Sequence, residues 1–443
     1  MFDFERELKR ILGVSAAREC ADPSLLELLD VKMLAGQGRA ADIAAGRVSA
    51  KRPHVDQLDA AAVWREHARR TGDAVTLRKA AKAAERAGKA AENPAERARA
   101  ALEQAVTSLV GADLFGDTGL LDSARELLIC AGEHDGDAVI EARIEAAYAR
   151  IAAREALATG DYARALEAAA LFDKAIHRLE QLTAAKGSPA VRLEAAAARM
   201  DRADLMAGFG LQMRDDRLLR QAADDLADLM SRLDADYEPL TWVRAAELCG
   251  STLVALGEIT GRAEHVAEGV SALAEPSEKF TRDHSPLDWA RWQHALALGL
   301  QALGETCDSD AAFDQAERAF AEALRAASVQ GLTLRATVAN NRAACMARRA
   351  ERRGDLIALA KAEAAFKAEL AGMAAAEDPI PWAVIQTNLG RLYEARAELL
   401  GDFRERESAA YAFEAALDVF CDHGLKSLAE AAGAGLKRLA RTG

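Results

Sequence analysis

Four arginines stand close together in the C-terminal third of the chain, at Arg348, Arg349, Arg352 and Arg353. On a helix this spacing produces two adjacent i,i+4 stripes of positive charge. Guanidinium groups hold carboxylates or phosphates through charge-assisted hydrogen bonds, so Arg348 and Arg352 are candidate partner-binding residues. The alternative is a solvated face that complements the negative C-terminal end of its helix. The pair Arg69-Arg70, which occupies a similar place, favours that alternative.

The chain shows no spacing typical of a catalytic or metal site. Its eight histidines form no His-Glu-x-x-His motif, and there is neither a Gly-x-Gly-x-x-Gly nor a Walker loop. Asp224, Asp225 and Asp228 cluster, but no histidine or second carboxylate set shares their register, which indicates a solvated helix face. The six cysteines form no Cys-x-x-Cys pair and are typical of small buried apolar residues in a reducing compartment. We therefore expect no catalytic residue, no metal and no cofactor.

Prolines and glycines recur at a near-constant spacing along the chain. Pro94 precedes Gly116 by 22 positions, and the same interval joins three later pairs: Pro239 and Gly261, Pro286 and Asp308, and Pro379 and Gly401. Three of these prolines open one short motif that ends in Trp242, Trp289 or Trp382. Self-similarity at this period indicates a repeat architecture. We expect Trp289 and Trp382 to lie in the core between repeats.

Each repeat is predicted to contain a helix A, a tight turn and a helix B. The predicted starts of helix A are residues 50, 94, 138, 189, 239, 286, 332 and 379. The predicted turns fall at residues 72, 116, 160, about 214, 261, 308, 354 and 401. Most turns read Gly-Asp, in which the glycine ends helix A and the aspartate caps helix B. Asn93-Pro94 and Ser285-Pro286 begin capping motifs at the start of helix A, and Ser188 and Asp378 repeat the first half of that signal.

Both helices of a repeat carry one apolar stripe. In the last repeat helix A places Trp382, Ile385, Leu389, Leu392 and Tyr393 at helical spacing, and helix B places Ala409, Phe413, Ala416, Leu417 and Phe420. Small and large side chains that alternate in this way suit interdigitating helices. We predict an N-terminal helical cap over residues 1–49, helical repeats over 50–424, and a C-terminal capping helix over 425–443 that covers Phe413 and Leu417.

Composition favours an all-α protein. Alanine dominates the 51% of hydrophobic residues, and aromatic residues make up 5%. The net charge is −13; residues 1–100 hold 19 basic and 15 acidic residues, so the remainder carries −17. A bulk acidic surface argues against general nucleic-acid binding. The N-terminus has no apolar signal segment, and no stretch reaches the ~18 uncharged apolar residues of a membrane span, so we expect a cytoplasmic protein without membrane insertion.

The best-formed repeat resembles a known family. Residues Asn388-Leu-Gly-Arg-Leu-Tyr393, then Gly401-Asp402, then Phe413-Glu-Ala-Ala-Leu417 are similar to the tetratricopeptide repeat, which has Leu-Gly-x-x-Tyr in helix A and an Ala/Phe/Ala-Leu pattern in helix B. The usual repeat has ~34 residues, whereas these are longer. The long bacterial form Pro-x-x-Trp-Ala-x-x-x-x-Asn-Leu-Gly is most similar, and residues 379–420 match it best. The resemblance implies a right-handed α-solenoid of about eight helix pairs.

The resemblance also implies a binding surface. In tetratricopeptide families, asparagines on helix A line the concave groove and hydrogen-bond a peptide backbone or a C-terminal carboxylate. Asn341 and Asn388 occupy the same position of two successive repeats, with Arg335, Arg342 and Arg391 nearby in sequence. The alternative is that both asparagines bond to the backbone of a neighbouring helix.

We therefore expect a non-catalytic scaffold or adaptor that holds a peptide segment or helix of another protein in its concave surface. The residues expected to contact this partner are Asn341, Asn388, Arg391, Arg348 and Arg352. One alternative is an enzyme or small-molecule sensor with a pocket between repeats. Another is a peptide-responsive transcriptional regulator, but residues 1–49 are short for a helix-turn-helix domain and lack a basic recognition helix. The partner and the oligomeric state are left open.

Overall fold

The structure is a computed structural model and describes residues 23–47, 52–132, 137–274, 280–329, 332–373 and 379–441. Over these ranges 87% of the residues are helical, and no strand occurs there. The helices within them are α1 (Pro23–Leu26), α2 (Val31–Ala45), α3 (Pro53–Thr71), α4 (Ala74–Lys89), α5 (Pro94–Phe115), α6 (Gly119–Gly132), α7 (Ala138–Thr159), α8 (Tyr162–Lys186), α9 (Pro189–Met213), α10 (Asp216–Arg232), α11 (Pro239–Thr260), α12 (Ala263–Ala274), α13 (Pro286–Cys307), α14 (Asp310–Ala326), α15 (Thr333–Arg353), α16 (Leu356–Leu370), α17 (Pro379–Leu400), α18 (Phe403–Asp422) and α19 (Lys426–Arg441).

From α3 to α18 the helices form eight consecutive pairs, repeats 1 to 8, each with a helix A followed by a helix B. Successive A helices contact one another directly, whereas each B helix packs against its own and the next A helix. The A helices therefore line the inner side of the array and the B helices its outer side. The predicted α-solenoid is confirmed, and six of the eight predicted A-helix starts are met; the others begin at Pro53 and Thr333.

Each turn between helix A and helix B has one residue in the left-handed conformation. These residues stand at the eight predicted positions: Gly72, Gly116, Gly160, Arg214, Gly261, Asp308, Gly354 and Gly401. Arg214 and Asp308 adopt φ values of 54° and 53° although neither is glycine. A left-handed L-residue costs roughly 1–2 kcal/mol, so the turn geometry that recurs along the chain overrides local preference at these two positions.

Aspartates after the turns cap the B helices, as predicted. Asp161, Asp355 and Asp402 each accept a hydrogen bond from the backbone N–H two residues later, at 2.9–3.0 Å. Such a cap satisfies one of the orphan donors of the first helical turn and contributes about 1 kcal/mol. At the start of α5, Asn93 accepts from the N–H of Glu96 at 3.0 Å, which confirms the capping motif there.

The capping prediction is wrong for Ser285. Its hydroxyl makes no bond to the helix backbone and instead donates to the Asp288 carboxylate at 2.6 Å. Ser188 likewise makes no side-chain capping bond, and Asp378 lies outside the described residues. The Ser285 hydroxyl is diverted because Asp288, one turn further on, is a buried carboxylate that needs hydrogen-bond donors.

The glycine of the Leu-Gly-x-x-Tyr motif is required by packing. A Cβ at Gly390 would stand 2.8 Å from the ring of Phe413, and a Cβ at Gly435 of α19 would stand 2.6 Å from the same ring. Phe413 is fully buried between these backbones, and it packs against the buried Leu439 and the partly buried Leu436. Phe413 of α18 thus packs against α17, the A helix of its own repeat, on one side and against the C-terminal helix α19 on the other.

The solenoid winds back upon itself, so that early repeats contact late ones. Helix α3 of repeat 1 contacts α13 of repeat 6, and α5 of repeat 2 contacts α15 of repeat 7. The apolar part of this inter-turn contact joins Val110 and Leu114 to Leu287, Ala290 and Leu332, all buried. The ends of the A helices in one superhelical turn therefore pack directly on the A-helix starts of the next turn.

Arg69 and Arg70 belong to this closure and do not form a solvated face, so the interpretation drawn from their place in the sequence is wrong. Arg70 is fully buried and donates to the carbonyl oxygens of Leu26 and Leu29, each at 2.6 Å. Arg69 reaches Asp288 of repeat 6 at 3.1 Å. Burial alone would raise the pKa of Glu66, but the charges and hydrogen bonds of the two arginines lower it to about 2.

The segment between α1 and α2 caps a distant helix. Glu27 is buried, and its carboxylate accepts from the backbone N–H groups of Leu240 and Thr241 at 2.9 and 3.1 Å, at the start of α11. Its own carbonyl oxygen accepts from His284 Nε2 at 2.7 Å. A carboxylate at a helix N-terminus is favoured by the unpaired N–H groups and the positive end of the helix dipole. Glu27 therefore fastens the N-terminal helices to repeats 5 and 6.

Candidate functional site: the C-terminal inner groove

A groove opens on the inner side of the last two repeats. It measures about 360 Å³ and is lined by charged residues of α15, α17 and α19: Arg348, Glu351, Arg391, Glu394, Ala395, Glu398, Arg438 and Arg441. The A helices supply one wall because each presents a polar stripe opposite its buried apolar stripe. Helix α19 supplies the other wall because Leu436 and Leu439 fix it on α18. We call this surface the C-terminal groove.

Two of the four arginines in the C-terminal groove are engaged by glutamates. Arg438 binds Glu394 with two hydrogen bonds of 2.8 and 2.7 Å, and Arg348 lies 3.1 Å from Glu351 on its own helix. Among the residues that the structure describes, no ion pair or side-chain hydrogen bond reaches Arg391, nor does one reach Arg441. Both have side chains open to solvent.

Arg391 stands in a positive environment. Loss of hydration inside the concave surface, followed by the charges of Arg348 and Arg438, lowers the pKa of the Arg391 guanidinium. Glu394 and Glu351 oppose this effect but do not cancel it. An unpaired cation held near two others favours the arrival of an anion, because a carboxylate would relieve the repulsion and provide two hydrogen-bond acceptors.

The two asparagines expected at the groove make inter-repeat contacts. The Asn388 amide donates to Asn340 Oδ1 at 2.9 Å, and Asn341 lies 2.9 Å from His294 Nε2. Burial lowers the pKa of His294 to about 4, so the ring is neutral at pH 7 and Nε2 can accept this bond. Both asparagines therefore bond to side chains on the preceding A helix rather than to its backbone, which the alternative interpretation supposed.

The arginine stripe at 348–353 divides into two parts. Arg349 lies 2.6 Å from Asp314 and Arg353 lies 2.5 Å from Asp310, both on α14. Arg352 donates to the carbonyl oxygen of Glu305 at 2.9 Å and also pairs with Asp308. These three arginines tie repeat 7 to repeat 6, so the stripe is neither a free anion site nor a simple solvated face. Only Arg348 reaches the C-terminal groove, where it meets Arg391.

The tryptophans of the Pro-x-x-Trp motif are packed between repeats, at different depths. Trp289 joins the inter-turn cluster and also contacts Phe280, with ring centroids 5.7 Å apart. Trp382 packs against Leu417 and Ala429 of the last two helices. Trp292, one turn after Trp289, is the fully buried member. Packing of Trp289 and Trp382 between repeats agrees with the expectation, although both side chains are only partly buried.

Two carboxylates on A helices were missed by the sequence analysis. Asp204 of α9 and Glu247 of α11 have no side-chain partner among the described residues. The Asp204 side chain is open to solvent, but loss of hydration beside the neighbouring helices raises its pKa to about 6, with the charge of Asp201 adding to the effect. Burial raises the pKa of Glu247 to about 7, against the opposing charge of Arg291. In the sequence each of these carboxylates is only an acidic residue on the polar stripe of an A helix. Such residues are common on any protein surface, so the sequence did not single them out.

A second cavity lies on the other side of repeat 8. It has a volume of about 460 Å³, and its walls are formed by Lys367, Leu370, Gln386, Leu389, Tyr393, Glu407, Ser408, Tyr411 and Ala412. Tyr393 donates to Glu363 at 3.0 Å nearby. Across the described ranges, no group of three or more His, Cys, Asp or Glu side chains is placed to hold a metal ion. No helix in those ranges is long and apolar enough to cross a membrane.

Comparisons with known proteins give structural neighbours only. No family model and no curated protein matches the chain. A Rap protein complexed with competence and sporulation factor has a TM-score of 0.44 and 10% identity over 91% of this chain and 97% of its own. Aspartyl phosphate phosphatase F from Bacillus subtilis has a TM-score of 0.37 and 11% identity over 85% of this chain and 91% of its own. A monomeric IFIT1 mutant with m7Gppp-AAAA has a TM-score of 0.37 and 12% identity over 99% of this chain and 94% of its own. These neighbours are helical-repeat proteins, but TM-scores below 0.5 carry neither a shared family nor a function to this chain.

Proposed function

We propose that this protein is a non-catalytic interaction scaffold that holds an acidic segment of another protein in the C-terminal groove. The observation that carries the proposal is Arg391: a guanidinium open to solvent, without an acidic partner, and close to the charges of Arg348 and Arg438. Arg438 and Arg348 already pair with Glu394 and Glu351, whereas Arg441, within the described part of the chain, shares the unpaired state of Arg391. The guanidinium of Arg391 therefore marks one defined position in the groove at which a carboxylate of the partner would bind.

The chemistry of the site favours isolated carboxylates. A side chain of Asp or Glu can accept two parallel bonds from Arg391, and such charge-assisted bonds are about twice as strong as neutral ones. Arg441, at the end of α19, offers a second guanidinium within the same groove. Glu351, Glu394 and Glu398 line the same surface and repel a dense polyanion. A peptide with separated acidic residues fits this pattern better than a phosphate backbone.

The remaining groups of the site position the arginines. The bidentate pair between Arg438 and Glu394 fixes α19 against α17 across the groove. The bond from Asn388 to Asn340 fixes α17 against α15. In this proposal Asn388 and Asn341 hold the A helices in register, while Arg391 and Arg348 contact the partner. Arg352 supports α15 through Asp308 and contributes indirectly.

Selection of peptides from a random library tests the proposal. Immobilised protein is panned against a display library of random dodecapeptides, in parallel with the double variant Arg391→Ala/Arg441→Ala. The matched control is Arg217→Ala, which removes an exposed arginine of repeat 4. The wild type and the control are expected to enrich sequences with spaced Asp and Glu, and the double variant is expected to lose that enrichment. Selection of the same sequences by the double variant, or of basic sequences by the wild type, would overturn the proposal.

A further inference from the structure

A patch of exposed apolar side chains lies at the turns of the last two repeats. Leu356 and Ile357 begin α16 and are 39% and 73% exposed; Leu399 and Leu400 end α17 and are 45% and 50% exposed; Phe403 begins α18 and is 67% exposed. Cδ2 of Leu399 lies 3.7 Å from the position that a Cβ would take at Gly354, so the turn of repeat 8 adjoins that of repeat 7. We call these five residues the terminal apolar patch.

The same position is an interface elsewhere in the chain. Leu114 and Phe115 precede the turn glycine Gly116 by two and one residues, as Leu399 and Leu400 precede Gly401. In repeat 2 these residues pack on the A-helix starts of the following superhelical turn, against side chains such as Leu332. Leu114 is buried there. The terminal apolar patch therefore continues the inter-turn interface at an edge where no further repeat of the described chain covers it.

Exposure of this many large apolar side chains at one place is costly. Burial of apolar surface is worth roughly 25 cal/mol per Å², and contiguous exposed patches on soluble proteins mark interaction sites. Single exposed apolar residues elsewhere, such as Tyr237, carry no such meaning. The patch thus combines five exposed apolar side chains at two adjoining turns with structural equivalence to a buried contact.

We propose that the terminal apolar patch is a homodimer interface, in which it packs on the same patch of a second copy of this chain. A two-fold interface needs only one self-complementary surface. Leucine, isoleucine and phenylalanine against the same residues reproduce the apolar chemistry of the inter-turn contact within the chain. Charges of both signs border the patch, with Asp355 and Asp402 beside Arg404, all exposed. A surface bordered by both signs does not repel its own copy, whereas a border of one sign would favour an oppositely charged partner.

The dimer would leave the C-terminal groove open. The patch lies at the ends of the A helices and the starts of the B helices, whereas the groove is lined by inward-facing residues of α15, α17 and α19. Two copies joined through their terminal turns would carry two grooves. This inference does not rest on the proposed function, because it concerns a different surface.

Mass measurement over a concentration series tests this inference. Light scattering after size-exclusion chromatography is compared for the wild type, for Ile357→Ser/Phe403→Ser, and for the control Tyr237→Ser. We expect the wild type and the control to reach twice the 47.3 kDa of one chain at ~100 µM. The double variant is expected to stay at one chain mass, with a dissociation constant raised at least tenfold. Circular dichroism verifies that all three proteins are equally helical.

Amide hydrogen exchange at the same concentrations locates the contact. Protection at residues 354–357 and 399–405 is expected to rise as the wild type associates, and to stay low in the double variant. A wild type that remains monomeric at ~100 µM would overturn the inference. So would a double variant that associates as well as the wild type, or protection that appears at another surface.

Discussion

Arg69 and Asp288 lie 219 positions apart in the sequence, yet their side chains meet at 3.1 Å and join the first repeat to the sixth. Asp288 is almost fully buried, and its carboxylate also accepts hydrogen bonds from Ser285 and Arg244. A buried carboxylate without a cationic partner is strongly destabilising. The contact therefore specifies one alignment of repeat 1 on repeat 6, which apolar packing alone would not select.

Removal of Arg69 should destabilise the whole array. Arg69→Met keeps the apolar stem but leaves Asp288 and Glu66 short of a positive partner, so we expect a loss of about 3 kcal/mol in the free energy of unfolding. Arg217→Met, at an exposed site, is the control and should change it by less than ~0.5 kcal/mol. Urea unfolding followed by circular dichroism measures both. Equal midpoints for the two variants would show that the contact contributes nothing to stability.

Acid should weaken the same closure. The folded-state pKa of Glu66 is lowered to about 2, and that of Asp288 is also lowered. A carboxylate with a lowered pKa contributes stability that is complete above its unfolded pKa and disappears as the pH falls towards the folded value. For Glu66 this window runs from about 4.5 down to about 2. The urea midpoint should therefore fall through this range, and the fall should be smaller in Glu66→Gln.

Glu247 should lower the stability of the protein as the pH rises, in contrast to Glu66. Burial raises its pKa from 4.5 to about 7, so its contribution to stability is complete below pH 4.5 and decreases as the pH rises to about 7. Glu247→Gln removes that loss and should stabilise the protein at pH 8 by about 1–3 kcal/mol. Glu264→Gln, at an exposed position of α12, is the control. A Glu247→Gln protein that is less stable than wild type at pH 8 would mean that its carboxylate has a favourable partner.

The tryptophans should differ in importance. Trp292 is fully buried, whereas Trp289 and Trp382 are partly buried. Each change to alanine is expected to cost about 3–5 kcal/mol, with Trp292→Ala at the upper end because it leaves the largest cavity. Thermal melts of the three variants provide the order. If Trp382→Ala or Trp289→Ala left the melting temperature unchanged but abolished peptide binding, that side chain would be an interface anchor.

The two asparagines should matter for stability before they matter for binding. In Asn341→Ala/Asn388→Ala, His294 and Asn340 lose their partners, so we expect a loss of about 1–3 kcal/mol in the free energy of unfolding. Peptide capture should weaken as a consequence of the shifted A helices. Measurement of both quantities separates these effects: full stability with weaker capture would mean that the amides contact the partner directly.

The positions of the turns were predictable because they depend on local chemistry. A left-handed residue followed by a helix cap is recognisable from a few neighbouring residues. At Arg214 and Asp308 glycine is absent, and there the constant spacing of the repeats predicted the turn. The alternation of alanine and phenylalanine on the B helices was readable for the same reason, since Phe320, Phe366 and Phe413 occupy equivalent buried positions.

The closure of the superhelix could not be predicted from the period. The contact between Arg69 and Asp288 depends on how many repeats complete one turn, which is the sum of small rotations that no motif encodes. Glu66, Arg69 and Arg70 at i,i+3 and i,i+4 spacing were visible, but the same spacing is typical of exposed helix faces. The groove was predicted only through Arg348 and Arg391; the C-terminal arginines 438 and 441 join them because α19 folds back on α18.

Equilibrium binding of a defined acidic peptide tests the central claim most directly. A fluorescein-labelled dodecapeptide of alternating Glu and Ala is titrated with the protein, in parallel with its Lys-Ala counterpart, and fluorescence anisotropy is recorded at about 50 and 200 mM salt. We predict that the wild type and Arg217→Ala bind the acidic peptide, that added salt weakens binding, and that Arg391→Ala/Arg441→Ala loses at least tenfold in affinity. Equal affinity of the double variant for the acidic peptide, or tighter binding of the basic peptide by the wild type, would contradict the account.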